Sequence, residues 1–166
     1  MRFLKYIFCI VLISFLVSSC KSTSTIRTSK KEIGSKEVNR QAKQVIEEAS
    51  ENLGSPYKAG GIDKKGFDCS GLVFMSFKKI DIVLPRKSID MSKTGRIISK
   101  NDIRKGDLIF FKTNGKSEIN HVGLVVDVND DEIKFIHSSS QLGVIISSTK
   151  EPYYGKSFAQ ANRIIE

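Results

Sequence analysis

The spacing of apolar residues in the first half of the chain predicts two helices. The first spans about Lys36 to Leu53 and ends at Gly54, a residue type that commonly follows a helix C-terminus. Its apolar face consists of Val38, Ala42, Val45, Ile46, Ala49 and Leu53. The second predicted helix runs from about Cys69 to Lys79, after a glycine-rich loop over residues 55–67. Its apolar side consists of Leu72, Val73, Met75, Phe77 and Ile80.

Beyond Pro85 the pattern changes to short runs rich in β-branched and aromatic residues. A short helical stretch is predicted over residues 88–94, and strands follow it. The strands are predicted at residues 107–112, 121–127, 132–137, 143–147 and 158–164. Turn residues at Gly115 and Asn129-Asp130 indicate antiparallel hairpins. Helices followed by a meander predict an α+β fold, with the helices packed on an antiparallel sheet of about five or six strands.

The first 19 residues have the pattern of a signal peptide. Arg2 and Lys5 provide a positive start, and the apolar run at residues 7–17 is short for a bilayer span. Small residues precede Cys20, as in a bacterial lipobox, so we expect cleavage before Cys20 and its acylation. We expect this lipid anchor to hold the protein in the cell envelope, at the outer membrane facing the periplasm. An ordinary signal peptide or a short membrane anchor is the alternative.

The rest of the chain is expected to consist of a tether and one domain. Residues 20–36 begin with the lipidated cysteine and continue with Ser, Thr and Lys, which cannot bury a core and therefore predict a flexible tether. Residues 37–166 have the length for a single domain with its own core.

The basic charge adds little to this picture. The formal net charge is +9, and removing Arg2 and Lys5 with the signal lowers it to +7. A basic protein of this kind can bind nucleic acid, an anionic membrane or an acidic polymer, or its excess lysines can simply maintain solubility. Because the signal directs the chain out of the cytoplasm, we expect no nucleic-acid partner.

Cys69 is the cysteine that remains for chemistry once Cys9 is removed with the signal and Cys20 is acylated. An exported single thiol has no internal disulfide partner, so it is either used or buried. Cys69 stands where a loop meets a helix N-terminus, and the unpaired N–H groups there should lower the pKa of its thiol. We predict that Cys69 is a nucleophile; a small buried side chain is the alternative.

The two histidines of the chain, His121 and His137, open one predicted strand and end the next. If the two strands form a hairpin, both histidines lie at the same end of the sheet, about 4.8 Å apart. His121 can then take the proton of Cys69 as a base, while His137 orients it. A zinc site formed by the same three residues is the competing use. We rank it second and expect neither metal nor cofactor, because a helix-terminal thiolate needs none.

Several short motifs, in order along the chain, resemble those of the NlpC/P60 cysteine peptidases of bacterial cell walls. They are Leu53-Gly54-Ser55-Pro56-Tyr57 with Gly60-Gly61, Phe67-Asp68-Cys69-Ser70-Gly71-Leu72-Val73, Leu84-Pro85-Arg86, Lys105-Gly106-Asp107-Leu108-Ile109-Phe110-Phe111, His121-Val122-Gly123 and Phe135-Ile136-His137. The resemblance covers about residues 38–164 and implies a papain-like α+β fold. It also implies hydrolysis of peptidoglycan stem peptides, either between D-glutamate and the diamino acid or at the D-alanine cross-link. With its lipid anchor and single domain the chain is similar to the short lipoprotein murein endopeptidases, and we expect a monomer.

The resemblance also implies roles for individual residues. The family's catalytic positions fall on Cys69, His121 and His137. Tyr57 matches a tyrosine beside the active site that assists the oxyanion; a core aromatic is its alternative. Asp68 and Ser70 match residues that bind a stem-peptide amine in some members, and simple helix capping is as good an explanation.

Two other function classes stay open at this point. A non-catalytic wall-binding or scaffolding lipoprotein could have the same fold, although a chain that keeps all three catalytic positions argues against it. A related amidase or acyltransferase would use the same residues on another substrate, because fold and triad do not determine the substrate.

Overall fold

The computed structural model describes residues 24–166, so the predicted signal peptide and Cys20 lie outside the described residues. The chain divides into two units, residues 1–36 and 37–166. Of the first unit, residues 24–36 are described and are helical. No helix in the described part of the chain is long and apolar enough to cross a membrane.

Helix α1, Ser24–Ser50, begins well before the start near Lys36 that the apolar spacing predicts. At the end of this additional part, Glu32 and Lys36 form an ion pair at helical spacing, at 3.2 Å. A pair of this kind stabilises a helix without apolar contacts, and an apolar pattern does not detect such a stretch. The flexibility of the tether assigned to residues 21–36 stays a prediction.

The remaining helices are short. Helix α2, Cys69–Lys78, and helix α3, Ser88–Met91, confirm the two predicted helical stretches, and a 3₁₀ turn spans Lys100–Asp102. Helix α4, Pro152–Ser157, was not predicted. It is only six residues long and has no apolar repeat that would identify it.

Eight strands lie in the described residues. Strands β1, Ile62–Asp63, and β2, Gly66–Phe67, form a two-residue hairpin in the predicted loop. The main sheet contains β3 (Arg96–Ile98), β4 (Leu108–Phe111), β5 (His121–Asn129), β6 (Glu132–Ser139), β7 (Gly143–Ser148) and β8 (Phe158–Arg163). Its order is β3-β8-β4-β5-β6-β7, and all neighbours pair antiparallel. The predicted α+β fold is confirmed; β3 was missed because three residues show no alternation.

The two faces of the sheet bury different partners. Alternate residues of β4 point to opposite faces, with Leu108 and Phe110 in one buried cluster and Ile109 and Phe111 in the other. The first cluster includes Val45 and Ala49 of α1 and Leu72, Val73 and Phe77 of α2. The second is covered by Tyr154 of α4 and by Phe158. Helices α1 and α2 therefore share one face, as predicted, while α4 packs on the other.

Candidate active site

The sequence Asp68-Cys69-Ser70-Gly71 builds the N-terminus of α2. Asp68 is the N-cap, and its Oδ1 accepts a hydrogen bond from the Gly71 N–H at 2.6 Å. A Cβ at position 71 would collide with the carbonyl oxygen of Gly61, so only glycine lets the preceding loop close against the helix. Cys69 is consequently the first residue of α2, at the predicted loop-to-helix junction.

Asp68 and Ser70 are both bonded to Arg86. The two guanidinium nitrogens of Arg86 donate to the two oxygens of Asp68, each at 2.8 Å, and Nη1 also donates to Ser70 Oγ at 2.9 Å. Burial opposes ionisation of Asp68, but Arg86 and the Gly71 and Gly60 N–H groups outweigh it and hold the pKa of its carboxyl below the usual range. Neither side chain lines the cleft described below, and their predicted contact with a substrate amine stays a prediction.

The Cys69 thiol lies next to the first residues of strand β5. The backbone N–H groups of Val122, Ser70 and Cys69 itself point at the sulfur and favour its thiolate. Burial nevertheless outweighs them and, with the nearby Asp68 charge, raises the pKa of the thiol. The expectation of a lowered pKa was wrong, because the position at a helix end does not reveal how much water the fold removes from the sulfur.

The two histidines lie side by side, as the predicted hairpin requires. His121 Nε2 and His137 Nδ1 are 3.0 Å apart, and the rings stand nearly perpendicular, at 82°. The register that pairs Leu124 with Ile136 brings the start of β5 beside the end of β6. Gly123 contributes by lacking a side chain, because the Phe135 ring occupies the space that a Cβ would need. The adjacency of His121 and His137 is confirmed.

Both imidazoles are neutral at neutral pH. Burial lowers the pKa of His121 to about 4. Burial, together with the neighbouring His121, lowers the pKa of His137 to about 3. Near neutral pH His121 is therefore a neutral imidazole and Cys69 a neutral thiol, so the two do not form an ion pair.

Cys69 and His121 open onto one cleft of about 590 Å³. Tyr57 lies at its rim with 41% of its surface exposed. The other described lining residues are Thr113, Asn114, Asn120, Ser138, Ser139, Ser140, Gln141, Leu142, Ile145, Ser147, Glu151, Tyr153 and Tyr154. Within residues 24–166 no group of three His, Cys, Asp or Glu side chains is arranged to hold a metal ion.

The side of the cleft that α4 forms is not predicted by the sequence pattern. Tyr153 and Tyr154 of this helix line the cleft beside Glu151, the one acidic side chain among the described lining residues. In the sequence, the one feature that points to these residues is a pair of adjacent tyrosines in a segment with no predicted helix or strand, and such a pair is only weak evidence of a cleft. Their role depends on α4 folding back onto the sheet.

The two histidines predict how stability depends on pH. In the unfolded chain each takes up a proton near its usual pKa of 6.5, whereas the folded forms resist protonation down to about 4 and about 3. The unfolded state therefore binds more protons below pH 6.5, and the free energy of unfolding should fall as the pH falls, by up to about 2.7 kcal/mol per pH unit. Urea midpoints between pH 7 and pH 5, above the range of most carboxylates, measure this slope. The variant His137→Asn should show about half of it; a flat wild-type midpoint would contradict the burial argument.

Comparison with known proteins gives consistent results. A family model described as the NlpC/P60 family matches residues 54–163. The chain is 41% identical over 119 residues to a probable endopeptidase of Haemophilus influenzae, covering 71% of each chain. It is 30% identical over 174 residues to the murein DD-endopeptidase MepS/murein LD-carboxypeptidase of Escherichia coli K12, covering 93% of this chain and 89% of that protein. A solved NlpC/P60 family protein from Bacillus cereus matches with a TM-score of 0.68 at 34% identity, over 75% of this chain and 40% of that chain.

Proposed function

The chain belongs to the NlpC/P60 family and is a peptidase, and we propose that it is a cysteine endopeptidase that hydrolyses amide bonds in peptidoglycan stem peptides. The observation that carries this proposal is the meeting of a lone thiol and a paired, neutral histidine on one cleft. A thiol, a base and a third group that orients the base are the parts of nucleophilic acyl transfer.

The proposed reaction begins from the neutral thiol and imidazole. His121 takes the proton of Cys69 as the sulfur attacks the carbonyl carbon of the scissile amide. Backbone N–H groups at the start of α2, with the Tyr57 hydroxyl, stabilise the oxyanion. Protonated His121 then gives its proton to the leaving amine, and a thioester remains on Cys69. Water, deprotonated by His121, attacks the thioester and releases the carboxylic acid product, and the thiol regains its proton.

Asp68 and Ser70 do not line the cleft, and their proposed role in the reaction is structural. Because Arg86 binds both side chains, we propose that they hold the N-terminus of α2 and the loop at Gly60 in place. This favours the capping alternative over recognition of a substrate amine.

The cleft suits a peptide substrate. Its hydroxyl and amide side chains offer hydrogen bonds to a peptide backbone, and Glu151 would attract the ammonium group of a diamino acid. Of the two candidate bonds, we propose the D-alanine cross-link, because a relative matched over 89% of its length is named a murein DD-endopeptidase. Cleavage between D-glutamate and the diamino acid is the alternative.

Mass spectrometry of digested peptidoglycan fragments tests the proposal. The full chain, in mild detergent, is incubated with cross-linked and monomeric fragments of known structure. Conversion of cross-linked dimers to monomers identifies the cross-link as the scissile bond, whereas loss of the diamino acid from monomers identifies the alternative. If neither substrate is cut, the non-catalytic wall-binding protein becomes the better explanation.

His137→Ala should leave a slower enzyme. The substitution removes the partner of His121 Nε2 at 3.0 Å, so the base loses its orientation while the nucleophile and cleft remain. We expect kcat to fall about 10²-fold or more with a small change in KM. His137→Asn retains a hydrogen-bonding group at this position and should restore part of the rate. An unchanged kcat in His137→Ala would remove His137 from the proposed triad.

We propose that the protein is a lipoprotein anchored at Cys20 in the outer membrane, facing the periplasm. The sequence pattern around Cys20 supports this proposal. The substitution Cys20→Ser removes the thiol that would be acylated. We expect metabolic labelling with an alkyne fatty acid to mark the wild type in the membrane fraction, and the variant to lose the label. Label that persists in Cys20→Ser would contradict the lipid anchor.

A further inference from the structure

One nitrogen of the site has no hydrogen-bond partner. Among the described residues, His137 Nε2 is the one buried side-chain nitrogen or oxygen in this condition, and the His137 side chain is fully buried. Buried polar atoms are nearly always bonded, so an exception beside a reactive group needs a physical explanation.

The surroundings of His137 are aromatic. The Tyr154 ring lies 5.2 Å from the His137 ring at 69°, and Phe135 lies 5.1 Å away. Tyr154 also stacks on His121, at 6.4 Å and 25°. A single side chain of α4 therefore lies beside both imidazoles of the site.

In a neutral imidazole, each nitrogen carries either a proton or a lone pair, and a nearby aromatic ring favours one of these two forms. The face of the ring is negative, so it attracts an N–H group and repels a lone pair. The Tyr154 and His137 rings form an edge-to-face pair, an arrangement in which an imidazole N–H can be directed at the aromatic face. Such a face would stabilise a proton on Nε2, which has no oxygen or nitrogen partner in hydrogen-bonding geometry.

The position of this proton determines which nitrogen of His121 is basic. With the proton on His137 Nε2, its Nδ1 accepts from the Nε2–H of His121, and His121 Nδ1 keeps its lone pair. In the opposite arrangement His137 Nδ1–H donates, and His121 carries its proton on Nδ1. His121 then has no lone pair left for the proton of Cys69.

We propose that Tyr154 is a positioning residue whose ring holds the proton of His137 on Nε2 and thereby keeps His121 in the tautomer that can act as a base. The inference rests on the proposed function, in which His121 is the base. It concerns the ring of Tyr154 and not its hydroxyl, which lies within hydrogen-bonding reach of the Ser147 side chain.

Nitrogen NMR tests the tautomer directly. The chain has two histidines, so labelling with ¹⁵N-histidine gives signals from only those two rings. We expect long-range proton–nitrogen correlations of the full chain at pH 7 to show the proton on Nε2 of both rings. A proton on Nδ1 of His137 would overturn the inference. Because this measurement needs no substrate, a protein that cuts no wall peptide would count against the proposed function and not against this tautomer.

Two variants separate the ring from the hydroxyl. Tyr154→Phe keeps the ring and should therefore keep the Nε2–H tautomer. Tyr154→Leu should lose the single tautomer and lower kcat about tenfold, with KM changed less. An unchanged tautomer and kcat in a folded Tyr154→Leu protein would overturn the proposal. If Tyr154→Leu does not fold, the spectra of the wild type and of Tyr154→Phe still test the proposal, because a proton on His137 Nδ1 in either protein would overturn it.

Discussion

Replacing Cys69 by alanine is expected to abolish the hydrolysis of peptidoglycan fragments, with a rate at least about 10⁴-fold below that of the wild type. The thiol shares the cleft with His121, the proposed base, and backbone N–H groups surround its sulfur. Without the thiol no nucleophile attacks the amide, so no thioester forms and the oxyanion donors have no intermediate to stabilise. The measurement is the time course of fragment release, followed by mass spectrometry.

The controls for Cys69 come from the same helix. Ser76→Ala removes a buried hydroxyl of α2 that donates to the Leu72 carbonyl and does not line the cleft, so it should leave the rate nearly unchanged. Cys69→Ser should be as inactive as Cys69→Ala, since a serine hydroxyl is a much weaker acid than a thiol. Because Asp68 still caps α2 in both Cys69 variants, thermal unfolding should change little. Hydrolysis by a folded Cys69→Ala protein would exclude Cys69 as the nucleophile.

Replacing His121 by alanine should cost nearly as much activity, about 10³- to 10⁴-fold in kcat. The thiol of Cys69 has a raised pKa, so little thiolate exists at neutral pH without a base to take the proton. The loss should therefore shrink at alkaline pH, where solvent hydroxide can ionise the thiol. The pH profile of kcat, compared between wild type and His121→Ala, measures this.

A second variant distinguishes a lost base from a lost contact. His121→Ala also leaves His137 Nδ1 without its partner at 3.0 Å, which should cost about 1–3 kcal/mol of unfolding free energy. His121→Gln retains an amide beside His137 and should recover stability but no activity, because an amide is not a base. If His121→Gln kept a rate within tenfold of wild type, another group would have to be the base.

The His121–His137 contact illustrates what local patterns can predict. Two alternating strands, a short turn between them and a histidine at the matching end of each are enough to place both side chains together, because hairpin register follows from the chain itself. The same holds for Cys69 at the start of α2, where glycines and a capping aspartate mark the helix end.

Other properties of the site come from contacts between distant segments. The Cys69 thiol is buried because the start of β5 packs against the start of α2, and that burial reverses the pKa shift that a helix end predicts. Arg86 reaches Asp68 and Ser70 from 18 and 16 residues away, a pairing that no periodicity encodes.

By itself the sequence determines the α+β class, the antiparallel hairpins, the identity of the thiol and the pairing of the histidines. Each of these follows from interactions between residues near one another in the chain, so a pattern or a motif records them. The protonation states of Cys69, His121 and His137, and the place of Tyr154 beside them, follow from how the sheet, α2 and α4 exclude water. Desolvation depends on all the atoms that surround a group, most of them remote in sequence, and it is therefore a property of the folded structure.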